Sequence, residues 1–155
     1  MTRKTHTAPM SIGRQLNFAA GAGNAVCNRL LEPHGLTLAQ WAVLQSIWRN
    51  GDLSVKEIAS LTGNAPPAAS RIIDRMVSSG LLVRQPDEND RRVVTVNVTE
   101  KGERLRSLMS VYEQVNDVLM ANLSADQVEQ LFGLLEHVEK NGRLWIEHQK
   151  KAAKE

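Results

Sequence analysis

The chain has a single cysteine, Cys27, in 155 residues. No internal disulfide framework is possible, and a reducing compartment is expected. Aromatic residues are scarce: three tryptophans, one tyrosine and two phenylalanines. No apolar run approaches the roughly 18–20 residues a membrane span needs, so no membrane partner is expected. The N-terminus, MTRKTHTAPMSIGRQL, is basic but lacks the continuous apolar stretch of a secretory signal, and a cytoplasmic protein is expected. P-loop, GxSxG, GxGxxG after a strand and HExxH are all missing. Neither an enzyme nor a cofactor is expected. Cys27 and His34 lie two helical turns apart, and His6, His137 and His148 show no ligand spacing, so no metal site is expected either.

What remains is an ordinary globular composition, 42% hydrophobic and 23% charged, enough for one domain or one small domain with appended helices. The net charge of +2 is unevenly spread. Residues 1–53 hold five basic and two acidic side chains, residues 54–106 nine and seven, and residues 107–155 five and eight. A protein that turns one face to phosphate has this distribution; so does one whose asymmetry carries no function.

Both ends of the chain carry helical seams. Ile12, Leu16, Ala19, Gly23, Val26 and Leu30 recur in steps of three and four, as do Leu105, Leu108, Tyr112, Val115 and Leu119. Val128, Leu131, Leu135, Val138, Gly142 and Trp145 repeat the rhythm, behind a Ser124–Gln127 capping box. A seam must be covered. A monomeric bundle would cover these, and so would the terminal helices of two chains wrapped into a homodimer; the second is the expectation taken.

The middle reads differently. Thr37 with Gln40 opens LAQWAVLQSIW, and Ser54 with Glu57 opens VKEIASL. Gly63 ends that short helix. Asn64-Ala65-Pro66-Pro67 starts another that stops at Gly80. Two such helices across a tight turn form a helix-turn-helix. Ala69, Ile72, Ile73 and Met76 share one face of the second helix. Pro67, Ser70, Arg71, Asp74 and Arg75 lie on or near the other, free to meet a ligand such as DNA; a merely solvated face is the alternative. Leu81 to Val83 then reads as a strand, PDEND as a turn, and Val94, Val96 and Val98 as the alternating positions of a second strand. A hairpin behind a helix-turn-helix is a wing, with Asp90, Arg91 and Arg92 at its tip.

These residues resemble the MarR family of winged helix-turn-helix transcriptional regulators. The matching stretch is LSVKEIASLTGNAPPAASRIIDRMVSSGLLVRQPDENDRRVVTVNVTEKG, Leu53 to Gly102, preceded by GLTLAQWAVL. DRRVVTVNVTEKG, with its Asp-x-Arg, is the most specific part. The resemblance implies a mostly α fold with a small β-hairpin wing, in which N- and C-terminal helices intertwine in a symmetric dimer. The expected organisation is a tail and dimerisation helix over 1–34, a winged helix-turn-helix over 35–99 and dimerisation helices over 100–155.

The resemblance also implies a function: a sequence-specific regulator, a repressor of a palindromic double-stranded operator, released by a small aromatic or phenolic ligand. Arg71 and Arg75 would read guanine edges in the major groove. Asp74 would orient an arginine, Ser70 would reach a base or phosphate, and Asn64 would cap the helix and leave its first amides facing an anion. Arg91 or Arg92 would enter the minor groove, held by Asp90. Alanines at Ala68 and Ala69, where the family often has hydroxyls, would shift readout toward thymine methyls and DNA shape. An effector pocket would draw on Arg14, Asn17, His34, Trp41, Trp48 and Tyr112, unless the two tryptophans are simply core. Oxidant sensors of the family place a reactive cysteine near Gly13; Cys27 lies well past it and reads as a buried thiol. A winged-helix module that binds protein rather than specific DNA is the alternative function.

Overall fold

The computed structural model of the chain describes residues 11–86 and 94–153. Its first helix, α1 (Ile12–Leu31), starts where Ser11 Oγ accepts from the Arg14 amide at 3.3 Å. A 3-10 turn (Glu32–His34) leads to α2 (Leu38–Asn50). Thr37 and Gln40 form the expected capping box there, and Asn28 of α1 accepts from the Leu38 amide at 2.9 Å. Three of the four amides at the start of α2 would otherwise lack partners; these contacts also fix where α2 meets α1.

A two-residue strand, β1 (Leu53–Ser54), precedes α3 (Val55–Thr62), which carries the Ser54–Glu57 box. Gly63 closes α3 in the left-handed region at φ 66°, a conformation that costs a side-chain-bearing residue and permits the sharp reversal into α4 (Pro66–Ser78). Strands β2 (Leu82–Pro86) and β3 (Val94–Val98) follow, then a single helical turn, α5 (Glu100–Glu103). The sheet is antiparallel in the order β1-β3-β2, with Leu53 opposite Val96 on one side and Leu82 opposite Val98 on the other. The expected hairpin is therefore a three-stranded sheet. Ser54 both ends a strand and caps a helix, so β1 was hidden beneath the capping signal.

One core holds this part together. Leu31, Val43, Leu44, Ile58, Ile73, Met76, Leu82 and Val96 are fully buried in it. At roughly 1.5–3 kcal/mol for each large apolar side chain, such a cluster dominates the local energetics. It fixes which face of α4 points inward.

The seam expected over Leu105 to Leu119 does not form one continuous helix. Residues Arg106–Ser110 are a 3-10 helix, and α6 begins only at Val111 (Val111–Leu119). The cause is visible in α2. Trp41 Nε1 donates to the Leu108 carbonyl at 2.8 Å, Arg106 Nη2 donates to the Trp48 carbonyl at 3.0 Å, and Leu108 and Val111 are buried in the core. The first half of the run packs as core, and heptad spacing alone does not distinguish that role from an exposed seam.

The chain divides into two compact units between Val115 and Asn116. In the second, α7 (Ala125–Ala152) has the expected Ser124–Gln127 box and no buried residue. Its Leu131, Phe132, Leu135, Val138 and Trp145 are 39–65% exposed in the single chain.

Candidate nucleic-acid interface

Helix α4 is built to present one face. Ala69, Ile72, Ile73 and Met76 are buried, while Pro67, Ala68, Arg71, Asp74 and Arg75 are exposed and Ser70 is half-buried. The expected division of the helix is thus correct in register. Ala69 lies in the core with no exposure, as that division has it, which removes it from the expected thymine-methyl readout. Of the two alanines, only Ala68 stands on the outer face.

The start of α4 differs from expectation. Asn64 does not cap it; Ala65 is the N-cap and supplies no side-chain bond. Asn64 Nδ2 donates instead to Thr62 Oγ1 at 2.9 Å, finishing the turn behind α3. Proline disfavours helical geometry in the preceding residue, which places Ala65 in an extended conformation at ψ 141° and moves the boundary one residue along. Nor do free amides face outward. Pro66 and Pro67 have no N–H, and the Ala68 and Ala69 amides both donate to the Ala65 carbonyl.

Asp74 orients an arginine, and that arginine is Arg84 of β2. Arg84 Nη1 meets Asp74 Oδ1 at 2.6 Å. Among the described residues, Arg71 and Arg75 enter no ion pair. Arg84 was missed in the sequence because it sits in a strand beside apolar residues, away from the turn and the helix that drew attention. The signal that would have found it is its spacing from Leu82: two residues on, it shares the face that meets α4.

The far end of α4 is tied to the chain that leaves the sheet. Thr99 N donates to the Leu81 carbonyl at 3.1 Å, Thr99 Oγ1 to the Gly80 carbonyl at 2.6 Å, and Lys101 Nζ to the Ser79 carbonyl at 2.7 Å. The approach is close enough that Gly102 has no room for a side chain: a Cβ there would lie 2.5 Å from the Leu81 carbonyl oxygen and from Val98 Cγ1. The TEKG sequence thus serves as the joint between α4, the sheet and α5. Lys101 also brings a positive charge to the end of α4, where the helix dipole favours it.

Asp90, Arg91 and Arg92 of the wing lie outside the described residues. The six effector-pocket residues are spread over α1, the 3-10 turn, α2 and α6. Arg14 lies over the Phe18 ring at 5.2 Å, and Asn17 and His34 are exposed. Tyr112 is exposed, with its ring 5.6 Å from the Arg49 guanidinium and its hydroxyl donating to Glu113 at 3.1 Å. Trp41 and Trp48 are core residues, 7% and 5% exposed, so their rings are packed rather than offered for stacking. The Trp48 indole N–H has no hydrogen-bond partner among the described residues. One cleft runs beside Asn28, Arg29, Glu32, Leu36 and Thr37, and another beside Asn28, Thr37, Ala42, Thr62 and Asn64; neither draws on the six. Cys27 is buried, and burial pushes its thiol pKa up, away from the reactive thiolate.

The sequence pattern of the MarR family matches residues 36–94. A MarR variant from E. coli, solved in complex with operator DNA, is 31% identical at a TM-score of 0.75, covering 81% of this chain and 91% of that one. The transcriptional regulator SlyA is 26% identical at 0.76, covering 85% and 94%. BpsR from Bordetella bronchiseptica, whose DNA binding is regulated by 6-hydroxynicotinic acid, shares the fold at 24% identity and 0.74, covering 83% and 98%. With its winged helix-turn-helix, its flanking helices and these likenesses, the chain belongs to the MarR family: it is a transcriptional regulator and not an enzyme.

Proposed function

We propose that the chain is a homodimeric, sequence-specific repressor that docks α4 in the major groove of a palindromic operator and leaves it when a small aromatic or phenolic ligand binds. The observation that carries this reading is the outer face of α4. Two exposed arginines that enter no ion pair among the described residues stand on a helix whose other face is locked in the core, directly before the sheet. An arginine there bonds guanine O6 and N7 bidentately, worth about 1–3 kcal/mol of discrimination. A protein-binding winged helix calls for a neutral or apolar outer face, and this one is charged. The wing would add Arg91 or Arg92 in the minor groove, steadied by Asp90.

The dimer is supported by α7 and α1. Exposed apolar stripes of this length on a water-soluble chain mark a protein contact, and Leu131, Leu135, Val138 and Trp145 of the C-terminal seam remain uncovered in one chain. In this reading 1–34 and 100–155 carry the dimer and 35–99 the operator contact. Two copies of α4 would then reach half-sites about one helical turn apart. The ligand would pair its carboxylate with Arg14 or His34 and lie near Asn17 and Tyr112, all exposed in the single chain. The DNA-bound MarR and the ligand-regulated BpsR support this chemistry. A regulator of this kind works where chromosomal DNA lies, in the cytoplasm.

The test is enrichment of duplexes from a random-sequence library by the purified chain, with its mass in solution measured by light scattering. Enrichment of a palindrome by a dimer, weakening steeply with salt, is expected. A stable monomer, or no enriched sequence at low salt, would overturn the proposal.

A further inference from the structure

We propose that Arg84 is a positioning residue for DNA recognition: it captures Asp74 and thereby keeps Arg71 free for the duplex. The inference rests on the reading that α4 docks on DNA. Strand periodicity places Arg84 two residues beyond the buried Leu82, on the same face of β2 and opposite Val96 in the ladder. That face is the one that packs on α4. The row of core residues ends at Leu82, and Arg84 continues it past the rim, where its guanidinium meets Asp74 at 2.6 Å.

Asp74 needs such a partner. It stands on the outer face of α4, three residues after Arg71, and side chains at that spacing are neighbours on a helix. A free carboxylate there would do two things against binding. It would be repelled by phosphate, and it would compete with guanine for the Arg71 guanidinium. Arg84 takes the carboxylate from the sheet side and prevents both. The pair is half-exposed, at 36% and 52%, and exposed ion pairs add little to stability. Its position, not its contribution to folding, is what matters.

The experiment compares wild type with Arg84→Gln, Asp74→Asn, the double variant and Arg84→Lys. Each is titrated against the duplex that wild type enriches from a random-sequence library, with unfolding midpoints measured in parallel. Arg84→Gln is expected to weaken binding by roughly tenfold at low salt, since it unmasks one charge and occupies one base-reading arginine. Asp74→Asn alone should bind at least as tightly as wild type, and the double variant should recover to within about threefold of it, because the charge that needed masking is gone. Arg84→Lys, which keeps the single charged bond, should stay within about threefold as well. A structural role for Arg84 would not be rescued by removing Asp74. A phosphate contact by Arg84 itself would leave the double variant as weak as Arg84→Gln, with a shallower salt dependence; that result overturns the inference, as does an Arg84→Gln variant that binds like wild type. A wild-type chain that enriches no duplex overturns the DNA reading and this inference together.

Discussion

Replacing Gly102 by alanine tests the joint behind the recognition helix. A Cβ there would sit 2.5 Å from the Leu81 carbonyl oxygen and 2.5 Å from Val98 Cγ1. Comfortable separations between carbon atoms are about 3.5–4.0 Å, so the overlap is about 1 Å. Val98 is β-branched and stiff at χ1. The Leu81 carbonyl cannot turn away without losing its bond from Thr99 N. The variant must therefore move α5 off the end of α4, and with it the bonds from Thr99 to Gly80 and from Lys101 to Ser79. Overpacking of this kind costs about 1–3 kcal/mol. Alanine in a helix recovers at most about 1 kcal/mol over glycine. The net expectation is a loss of about 1–2 kcal/mol in denaturant unfolding at fixed protomer concentration, with weaker operator binding because α4 is re-aimed. Gly21→Ala is the control. It lies mid-helix in α1 with nothing within 4 Å of the added Cβ, and it should gain about 0.5–1 kcal/mol. Gly102→Ala with wild-type stability and wild-type affinity would refute the reasoning.

Arg71→Ala is expected to cost about 1–3 kcal/mol of operator affinity and to relax preference at one base pair of each half-site, read by binding to single-substitution duplexes. Arg92→Ala, at the wing tip, should weaken binding more than about tenfold in the same titration, through loss of a minor-groove contact. Trp41→Phe removes one of the two donors to the Leu108 carbonyl, which keeps its bond from the Val111 amide; a loss of about 0.5–1.5 kcal/mol in unfolding free energy, the net worth of one hydrogen bond, is expected. Glu57 is held below its ordinary value of 4.5 by hydrogen bonds from the Ser54 backbone and hydroxyl. A lowered folded-state pKa stabilises the fold above about 4.5 and loses that contribution as pH falls below it, so Glu57→Gln should show a flatter acid limb in midpoint-against-pH curves than wild type.

Features written in local chemistry were legible in the sequence. Thr37, Ser54 and Ser124 cap their helices where the pattern placed them, because a capping hydroxyl and its partner lie within three residues. The inward face of α4 followed from helical spacing for the same reason. What escaped depended on residues far apart in the chain. The break at Arg106–Ser110 is imposed by Trp41 and Trp48, about sixty residues earlier. The partner of Asp74 is ten residues away across a turn and into a strand. Asn64 looked like a cap because it is a good capping residue; the two prolines after it decided otherwise by fixing the backbone at Ala65.

Those same prolines bear on how α4 can read DNA. They seal its first turn, so the helix offers no backbone donors to phosphate there. Ala69 is committed to the core and Asp74 to Arg84. What would remain on the outer face for base edges is short: Pro67, Ser70, Arg71, Arg75 and the methyl group of Ala68. Two arginines favour guanine, and a methyl favours thymine. So few contacts leave most positions of an operator without a direct reader. Under the proposed docking, discrimination at those positions would fall to the shape of the duplex and the ease of bending it, with Arg91 or Arg92 as the expected sensor of minor-groove width. On this argument, operator variants that change groove width without touching a contacted guanine would matter to this protein nearly as much as those that do.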